Sequence, residues 1–591
     1  MAPLPTPAER SSPWLDVRTL TVLLAVGAVV GRVLLDPGGS LLGHVFSEAP
    51  GHLWMQWLLD RALWDGADWW GQRDVLLQET LWVVPLDWSN RLVAFVLGPI
   101  LGAVRAFNVT MIGLVVLMAV GMLRICRRLD AGPMTSALAV LLFVWSPSVL
   151  GFAADGRIDS LCMGWMAMFL AAWIDAMRQP TWRSGVWMGV WAMAVSLSGP
   201  NPAFVLAFLA AIPSVVALVQ DRSRWRPLLI TGLMAALALA FVLGMLISVE
   251  GNDPKRLEQV AAPDVRPFLE FLLPEEILER RLKAVWSGAA NLNRFAPTSN
   301  MWQLPEVLRG IQATQIGTDR LTVQPFAPGG WWRVSLVPWI LAFAGTARRP
   351  RAAAPWMGLG VLTLFLGLGH GHSQTLPFML GSNLFYISPA SVLEAVPGFS
   401  VFNNYGLFSS ASALCVAVTV AVGWKGARRA PVIAGIAALL WFIEVQRGPV
   451  PLPLATADTT LPEGLVEMLA SGDPSTGVVT LPLSKDHNNY LQTLHGRPTP
   501  VRFRLHRHTP NRDGMIVDPT GNINLLLNVA RGRGPDPTLE NRLVKAGVGH
   551  VLVFSALMPE AKQHQVRSRL SGALGSPVWT DGSTDLYVVR Q

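Results

Sequence analysis

Two short sets of polar side chains interrupt a chain that is otherwise mostly apolar: Arg32, Asp36, Glu48 and His52, then Asp155, Arg157 and Asp159. In such sets a carboxylate can take a proton from a hydroxyl, an imidazole can orient that hydroxyl, and a guanidinium can hold an anionic oxygen. Glu48 and His52 are four residues apart, so a helix beginning near Pro50 sets them on one face or in hydrogen-bond contact. Arg32 and Asp36 share that spacing and can pair, and the alternation at 155, 157 and 159 places one cation between two acids. Each also has a plainer account. Glu48 can be a solvated loop carboxylate, His52 a histidine at head-group level, Arg32 an arginine snorkelling from a span, and 155–159 a polar turn with a local ion pair. His370 and His372, one residue apart, can face a metal, yet the glycines around them also make a flexible turn. No second carboxylate is fixed near Glu48 by spacing, so no metal ligand is assigned; a divalent metal cofactor is possible and not required.

The elements that must position these residues follow from hydropathy. Of 591 residues 51% are hydrophobic and 15% charged, with a mean hydropathy of +0.39, which excludes an all-soluble chain and makes the bilayer the expected solvent. Apolar runs of span length, or completed by interfacial residues, occupy 19–35, 109–123, 134–150, 161–174, 186–197, 203–218, 228–247, 332–343, 356–368, 407–422 and 432–443. They predict an α-helical polytopic membrane protein with about eleven transmembrane helices. The 24 Trp against 4 Tyr, many beside these runs (Trp14, Trp182, Trp225), fit interfacial anchors. Arg10 and Arg18 precede the first run and no small-residue cleavage site follows it, which predicts an uncleaved signal anchor with residues 1–18 cytoplasmic.

From that start, Arg124/Arg127/Arg128, Arg178/Arg183, Arg222/Arg224/Arg226, Arg348/Arg349/Arg351 and Lys425/Arg428/Arg429 all fall inside, and the opposite connections are nearly bare of Lys and Arg. The net charge of +8 is therefore topological and does not indicate a nucleic-acid partner. Cys126, Cys162 and Cys415 show no CxxC or CxxH pattern, giving neither a disulfide framework nor a zinc site. The transmembrane domain is expected at 19–445, with outer segments 36–91 and 250–330, and residues 446–591 outside the cytoplasm. Within 36–91, the recurrence of His52, Trp54, Trp57 and Leu58 predicts one or two helices lying on the membrane surface, and 92–104 a further surface or re-entrant segment. Residues 446–591 alternate strand-like 477–483, helix-like 538–546, strand-like 550–554, helix-like 559–574 and strand-like 584–589, a small α/β domain. Its His506–His508 and Asp486–Asn489 strings can contact sugars or phosphates, or be solvated loops.

Four stretches resemble the bacterial C-type glycosyltransferases that use polyprenyl-phosphate-linked sugars. They are Ser47-Glu48-Ala49-Pro50-Gly51-His52-Leu53-Trp54 after the first span, Ala106-Phe107-Asn108 with Arg124-Ile125-Cys126-Arg127-Arg128 bounding the second, Pro397-Gly398-Phe399-Ser400-Val401-Phe402 before the tenth, and Val478-Val479-Thr480-Leu481-Pro482-Leu483 in the C-terminal domain. The resemblance implies a glycosyltransferase-C-like membrane fold in the bacterial inner membrane. It also implies transfer of a sugar from a polyprenyl phosphate to a lipid, glycan or protein acceptor on the outer face. On that reading Glu48, with Asp159, is catalytic, and Arg32, Asp36, His52, Asp155 and Arg157 contact substrate.

The chain departs from the pattern in three places. Glu48 stands alone where several branches have a carboxylate pair, Asn403-Asn404-Tyr405 replaces an arginine-bearing segment, and the Trp-Trp-Asp-Tyr-Gly signature is missing, so N-glycan transfer is not implied. Two other classes remain open. A transporter for lipid-linked sugar needs a polar path that the few intramembrane charges do not supply. A non-catalytic scaffold of envelope glycan assembly would tolerate neutral residues at the outer carboxylates.

Overall fold

The computed structural model describes residues 14–36, 38–43, 47–66, 71–76, 79–82, 87–250, 335–367, 377–380, 383–386, 406–446, 452–454, 456–471, 473–483, 485–500, 522–532, 537–558 and 560–590. Most of the second outer segment, the His370/His372 pair, the stretch 397–405 and His506–His508 lie outside the described residues.

The membrane part is helical: α1 Trp14–Leu35, α2 Ala49–Trp64, α3 Trp88–Leu101, α4 Ala103–Arg128, α5 Pro133–Val144, α6 Pro147–Ala154, α7 Met163–Arg178, α8 Trp182–Leu197, α9 Pro200–Gln220, α10 Trp225–Glu250, α11 Leu336–Arg348, α12 Pro350–Gly367, α13 Gly406–Gly423 and α14 Ala430–Gln446. Within the described residues the eleven apolar runs fall mostly on these helices, the run 134–150 broken at 145–146 between α5 and α6 and the run 161–174 beginning in a 3-10 turn before α7. Among the described residues five helices are long and apolar enough to cross a bilayer, or up to six if the bent pair α5–α6 is one span, and four shorter apolar helices accompany them. The 48° bend between α5 and α6 follows from Pro147 at the first turn of α6, which has no N–H to continue the α5 ladder. Trp145 at the bend donates to the carbonyl of Ala25 on α1 at 3.0 Å.

Two kinds of surface separate on the helices. On α4, Met111, Leu114, Met118 and Met122 recur at helical spacing and are fully buried. On α10, Leu233, Leu237 and Phe241 recur in the same way and are exposed, as a lipid-facing stripe requires. The backbones of α4 and α7 approach at Gly121 and Gly164: a methyl on Gly164 would stand 2.6 Å from the carbonyl oxygen of Leu114. That contact fixes the start of α7, and with it the turn that carries residues 155–159. The stretch 36–91 adds β1 Ser40–Leu42 and a hairpin of β2 Gly71–Leu76 with β3 Glu79–Trp82, and a second hairpin pairs β4 Pro377–Leu380 with β5 Asn383–Tyr386.

The C-terminal part is α/β. Strand β6 Thr456–Asp458 leads into α15 Glu463–Ser471, β7 Gly477–Leu481, α16 Lys485–His495, α17 Asn522–Arg531, α18 Leu539–Lys545, β8 Val548–Phe554, α19 Glu560–Leu574, β9 Trp579–Thr580 and β10 Thr584–Val588. The sheet runs β7-β8-β10-β9, with β7 parallel to β8 and the other pairs antiparallel. Alternation divides its faces. Val479, Leu481, Val551 and Val553 pack with α17, α18 and α19, whereas Val478, Leu552 and Leu586 pack with Leu465 and Leu469 of α15 and Leu491 of α16.

This domain is docked onto β1 and α2. Strand β6 pairs antiparallel with β1 from Ser40↔Asp458 to Leu42↔Thr456, and Asn108 clamps β1 from behind by donating to the Ser40 carbonyl at 2.7 Å. Trp54 of α2, fully buried, donates from Nε1 to Oε1 of Gln492 on α16 at 2.8 Å. Two expectations change here. Helix α2 exists but is covered by protein instead of lying on the bilayer, because its Trp54 face is met by α16. The 486–489 string lies on α16 and not in a solvated loop, with His487, Asn488 and Asn489 all buried.

Candidate active site

The two polar sets meet. Helix α2 starts at Ala49 with Pro50 in its first turn, where a missing N–H costs nothing, so Glu48 is its N-cap and His52 lies one turn in. The turn after α6 comes against this helix start: the Glu48 N–H donates to the Asp155 carbonyl at 2.8 Å. Gly156 between them has φ +64, and a Cβ there would stand 2.8 Å from both Cα and N of Ala49, so only glycine allows this approach.

The result is a row of opposed charges. Arg157 Nε lies 3.1 Å from Glu48 Oε2, with side chains only 11% and 19% exposed. His52 Nε2 lies 3.8 Å from Asp159 Oδ1, and the imidazole stacks on Phe107 with ring centroids 6.5 Å apart. Burial works against the charge on Arg157, but Glu48, Asp159 and Asp155 outweigh it and raise its proton affinity. For His52 burial dominates and pulls the pKa down to about 4, against the opposing pull of Asp159 and Glu48 and with Arg91 and Arg157 adding to it. The imidazole is therefore neutral at pH 7.

Three residues that the sequence analysis did not single out complete the site. Arg91 of α3 donates to the His52 carbonyl at 3.2 Å and reaches its Nδ1 at 3.3 Å. Asn90 donates to Asp87 Oδ1 at 2.7 Å and to the Ile158 carbonyl at 3.3 Å, and accepts from Trp165 Nε1 at 3.2 Å. Asp87, 1% exposed, sits at φ 66, a left-handed conformation seldom used by non-glycine residues. Burial first, and Asp159 in addition, push its carboxyl well above the usual carboxylate range, with Arg91 and Asn90 opposing. The signal was present as Asp87-Trp88-Ser89-Asn90-Arg91, a polar string opening an apolar run, where such groups turn inward.

Asp155 is buried and joins through its backbone and its charge near Arg157. Arg32 and Asp36 are not gathered into this row. Arg32 is exposed in the last turn of α1, and Asp36 accepts from the Gly39 N–H at 3.0 Å and the Ser40 hydroxyl at 3.1 Å, closing its own turn. Among the described residues no three His, Cys, Asp or Glu converge as a metal-holding group.

Among solved structures, the apo oligosaccharyltransferase of Archaeoglobus fulgidus aligns over 95% of this chain and 72% of its own, with a TM-score of 0.52 and 11% identity. The chain shares the membrane fold of that protein. The arabinofuranosyltransferase AftD from Mycobacteria aligns over 98% of this chain at a TM-score of 0.48 and 15% identity, and the chain spans only 42% of that enzyme's length. ArnT from Cupriavidus metallidurans, bound to undecaprenyl phosphate, aligns over 99% of each chain at a TM-score of 0.40 and 12% identity. No family model matches the sequence, and no curated protein sequence matches it.

Proposed function

We propose that this chain is a membrane glycosyltransferase that moves a sugar from a polyprenyl-phosphate donor to a hydroxyl of a lipid, glycan or protein acceptor. The carrying observation is the meeting of Glu48, His52, Arg157 and Asp159 from two outer segments in one partly buried row. The fold supports the class, and the site supplies the parts. The acceptor oxygen attacks the anomeric carbon, the bond from that carbon to the phosphate oxygen breaks, and polyprenyl phosphate leaves with the bonding pair. Glu48 and Asp159 are the carboxylates placed near the acceptor hydroxyl, one of them to take its proton, and Arg157 is the cation placed to offset charge on the departing phosphate. Arg-rich clusters on alternate connections support a cytoplasmic N-terminus in an inner membrane, with the site and residues 446–591 on the outer face.

The test is made in cells that lack the protein, by comparing lipid-linked and surface glycans. Loss should raise the lipid-linked sugar and remove a surface sugar, with the wild-type chain restoring both and Glu48→Gln or Asp159→Asn restoring neither. Normal glycans with both variants would assign the protein to the scaffold class instead.

A further inference from the structure

The two ring nitrogens of His52 have different neighbours, and those neighbours decide which one carries the proton. Arg91 has only N–H donors to offer, and one of its terminal nitrogens lies 3.3 Å from Nδ1 while the other donates to the His52 carbonyl at 3.2 Å. Nδ1 must therefore present its lone pair, which leaves the proton of the neutral ring on Nε2. That N–H faces Asp159 Oδ1 across 3.8 Å, too far for a direct hydrogen bond, and among the described residues no other acceptor meets it. The remaining charged groups around the ring are Glu48 on its own helix and Arg157 on the adjoining turn. Phe107 of α4 closes one face of the ring.

A donor and a carboxylate separated in this way can be bridged by a hydroxyl that lies to one side of the line joining them: one oxygen can lie about 2.9 Å from the nitrogen and about 2.7 Å from the carboxylate at the same time. A phosphate oxygen fits poorly there, because it has no proton for Asp159 and its charge would face another anion. Glu48 is already held by Arg157 at 3.1 Å, whereas Asp159 Oδ1 accepts a long 3.4 Å hydrogen bond from the Ser160 hydroxyl and its side chain is 33% exposed.

We propose that His52 and Asp159 together bind the acceptor hydroxyl, His52 donating Nε2–H to its oxygen and Asp159 accepting its proton, with Arg91 as the positioning residue that fixes the tautomer. The inference rests on the transferase reading and names the acceptor's place within it. As the hydroxyl proton passes to Asp159, the oxygen lone pair forms the bond to the anomeric carbon and the carbon–phosphate-oxygen bond breaks. His52 keeps its proton throughout.

The test has a spectroscopic and a kinetic arm. Protein labelled with 15N-histidine, with His52 assigned through His52→Gln, should show a neutral ring protonated at Nε2 at pH 7. Arg91→Met should mix the tautomers, and Arg91→Lys, which keeps a donor, should restore the single form. With an undecaprenyl-phosphate-linked sugar as donor and octyl glycosides as acceptors, His52→Phe should raise the acceptor KM about tenfold, the effect of one lost hydrogen bond of ~1.4 kcal/mol. His52→Gln, which keeps a donor near the same position, should raise it less. An imidazolium or an Nδ1–H ring at pH 7 overturns the inference whatever the activity. So does an unchanged acceptor KM in His52→Phe, with the transferase reading intact. Wild-type protein that transfers no sugar removes the transferase reading and the hydroxyl's role with it, while the tautomer spectrum is still decided.

Discussion

Gly156→Ala should disconnect the two halves of the site with a single methyl group. Gly156 has φ +64, where a residue with a Cβ is strained by about 1–2 kcal/mol. The new Cβ would stand 2.8 Å from both Cα and N of Ala49 and closer still to its Cβ, and ordinary contact begins at 3.4 Å. Neither backbone is a flexible tip, so the turn must retreat on the order of 1 Å, a misplacement worth roughly 10²-fold in rate at a catalytic site. The Glu48 N–H to Asp155 bond at 2.8 Å and the Arg157–Glu48 contact at 3.1 Å both span the same gap and would open with it.

Sugar transfer should therefore fall about 10²-fold, while thermal unfolding shows a loss of only ~2–5 kcal/mol from strain and overpacking. Adding Ala49→Gly removes the methyl on the other side but leaves the Cα and N contacts, so it should restore activity in part. Gly156→Ala with wild-type turnover and melting would refute the packing argument.

Three further outcomes follow from particular contacts. Trp54→Phe deletes the indole donor to Gln492 at the junction of α2 and the C-terminal domain, and calorimetry should show a loss of about 1–3 kcal/mol; an unchanged melt would mean the domain does not brace α2. Burial lowers the pKa of His487 and His550 to about 4 and of His495 to about 3, from 6.5, Arg497 adding to the effect on the latter two. Because the unfolded chain binds those protons first, their neutral-state stability is complete above pH 6.5 and lost as pH falls toward 4, on the order of 3 kcal/mol for His487 alone. Denaturant midpoints measured from pH 7 to pH 4 should drop, and a flat profile would contradict the buried placement. Reporters fused after Arg128, Arg226 and Arg429 should be cytoplasmic and one after Gln591 extracytoplasmic; a cytoplasmic C-terminus would contradict the outer-face placement of the α/β domain and of the site docked against it.

What could be read from the sequence was local. The apolar runs, the strand and helix alternation near residues 477–589 and the four-residue spacing of Glu48 and His52 depend on neighbours along the chain, and each stands on the expected element. The pairing of Glu48 with Arg157 depends on Gly156 meeting Ala49 across about a hundred residues, which no periodicity reports. Arg91 read only as the end of the segment 36–91 and Asp87 was not singled out, because a charged string before an apolar run is equally compatible with solvent and with a buried network. The amphipathic pattern of α2 showed that one face avoids water, but not that α16 covers it in place of lipid. For Arg32 and Asp36 the spacing allowed a pair, yet a turn that offered the Gly39 N–H and Ser40 hydroxyl engaged the carboxylate instead.

The most direct test of the account uses purified protein in lipid nanodiscs with a radiolabelled undecaprenyl-phosphate-linked sugar and octyl glycoside acceptors, following label moved to the acceptor. The wild-type protein should transfer it, and Glu48→Gln and Asp159→Asn, melting as the wild type does, should each lose about 10²-fold or more. Transfer at the wild-type rate by both variants, or no transfer by the wild-type protein with any lipid-linked sugar, would contradict the claim that this outer cluster is a glycosyltransferase active site.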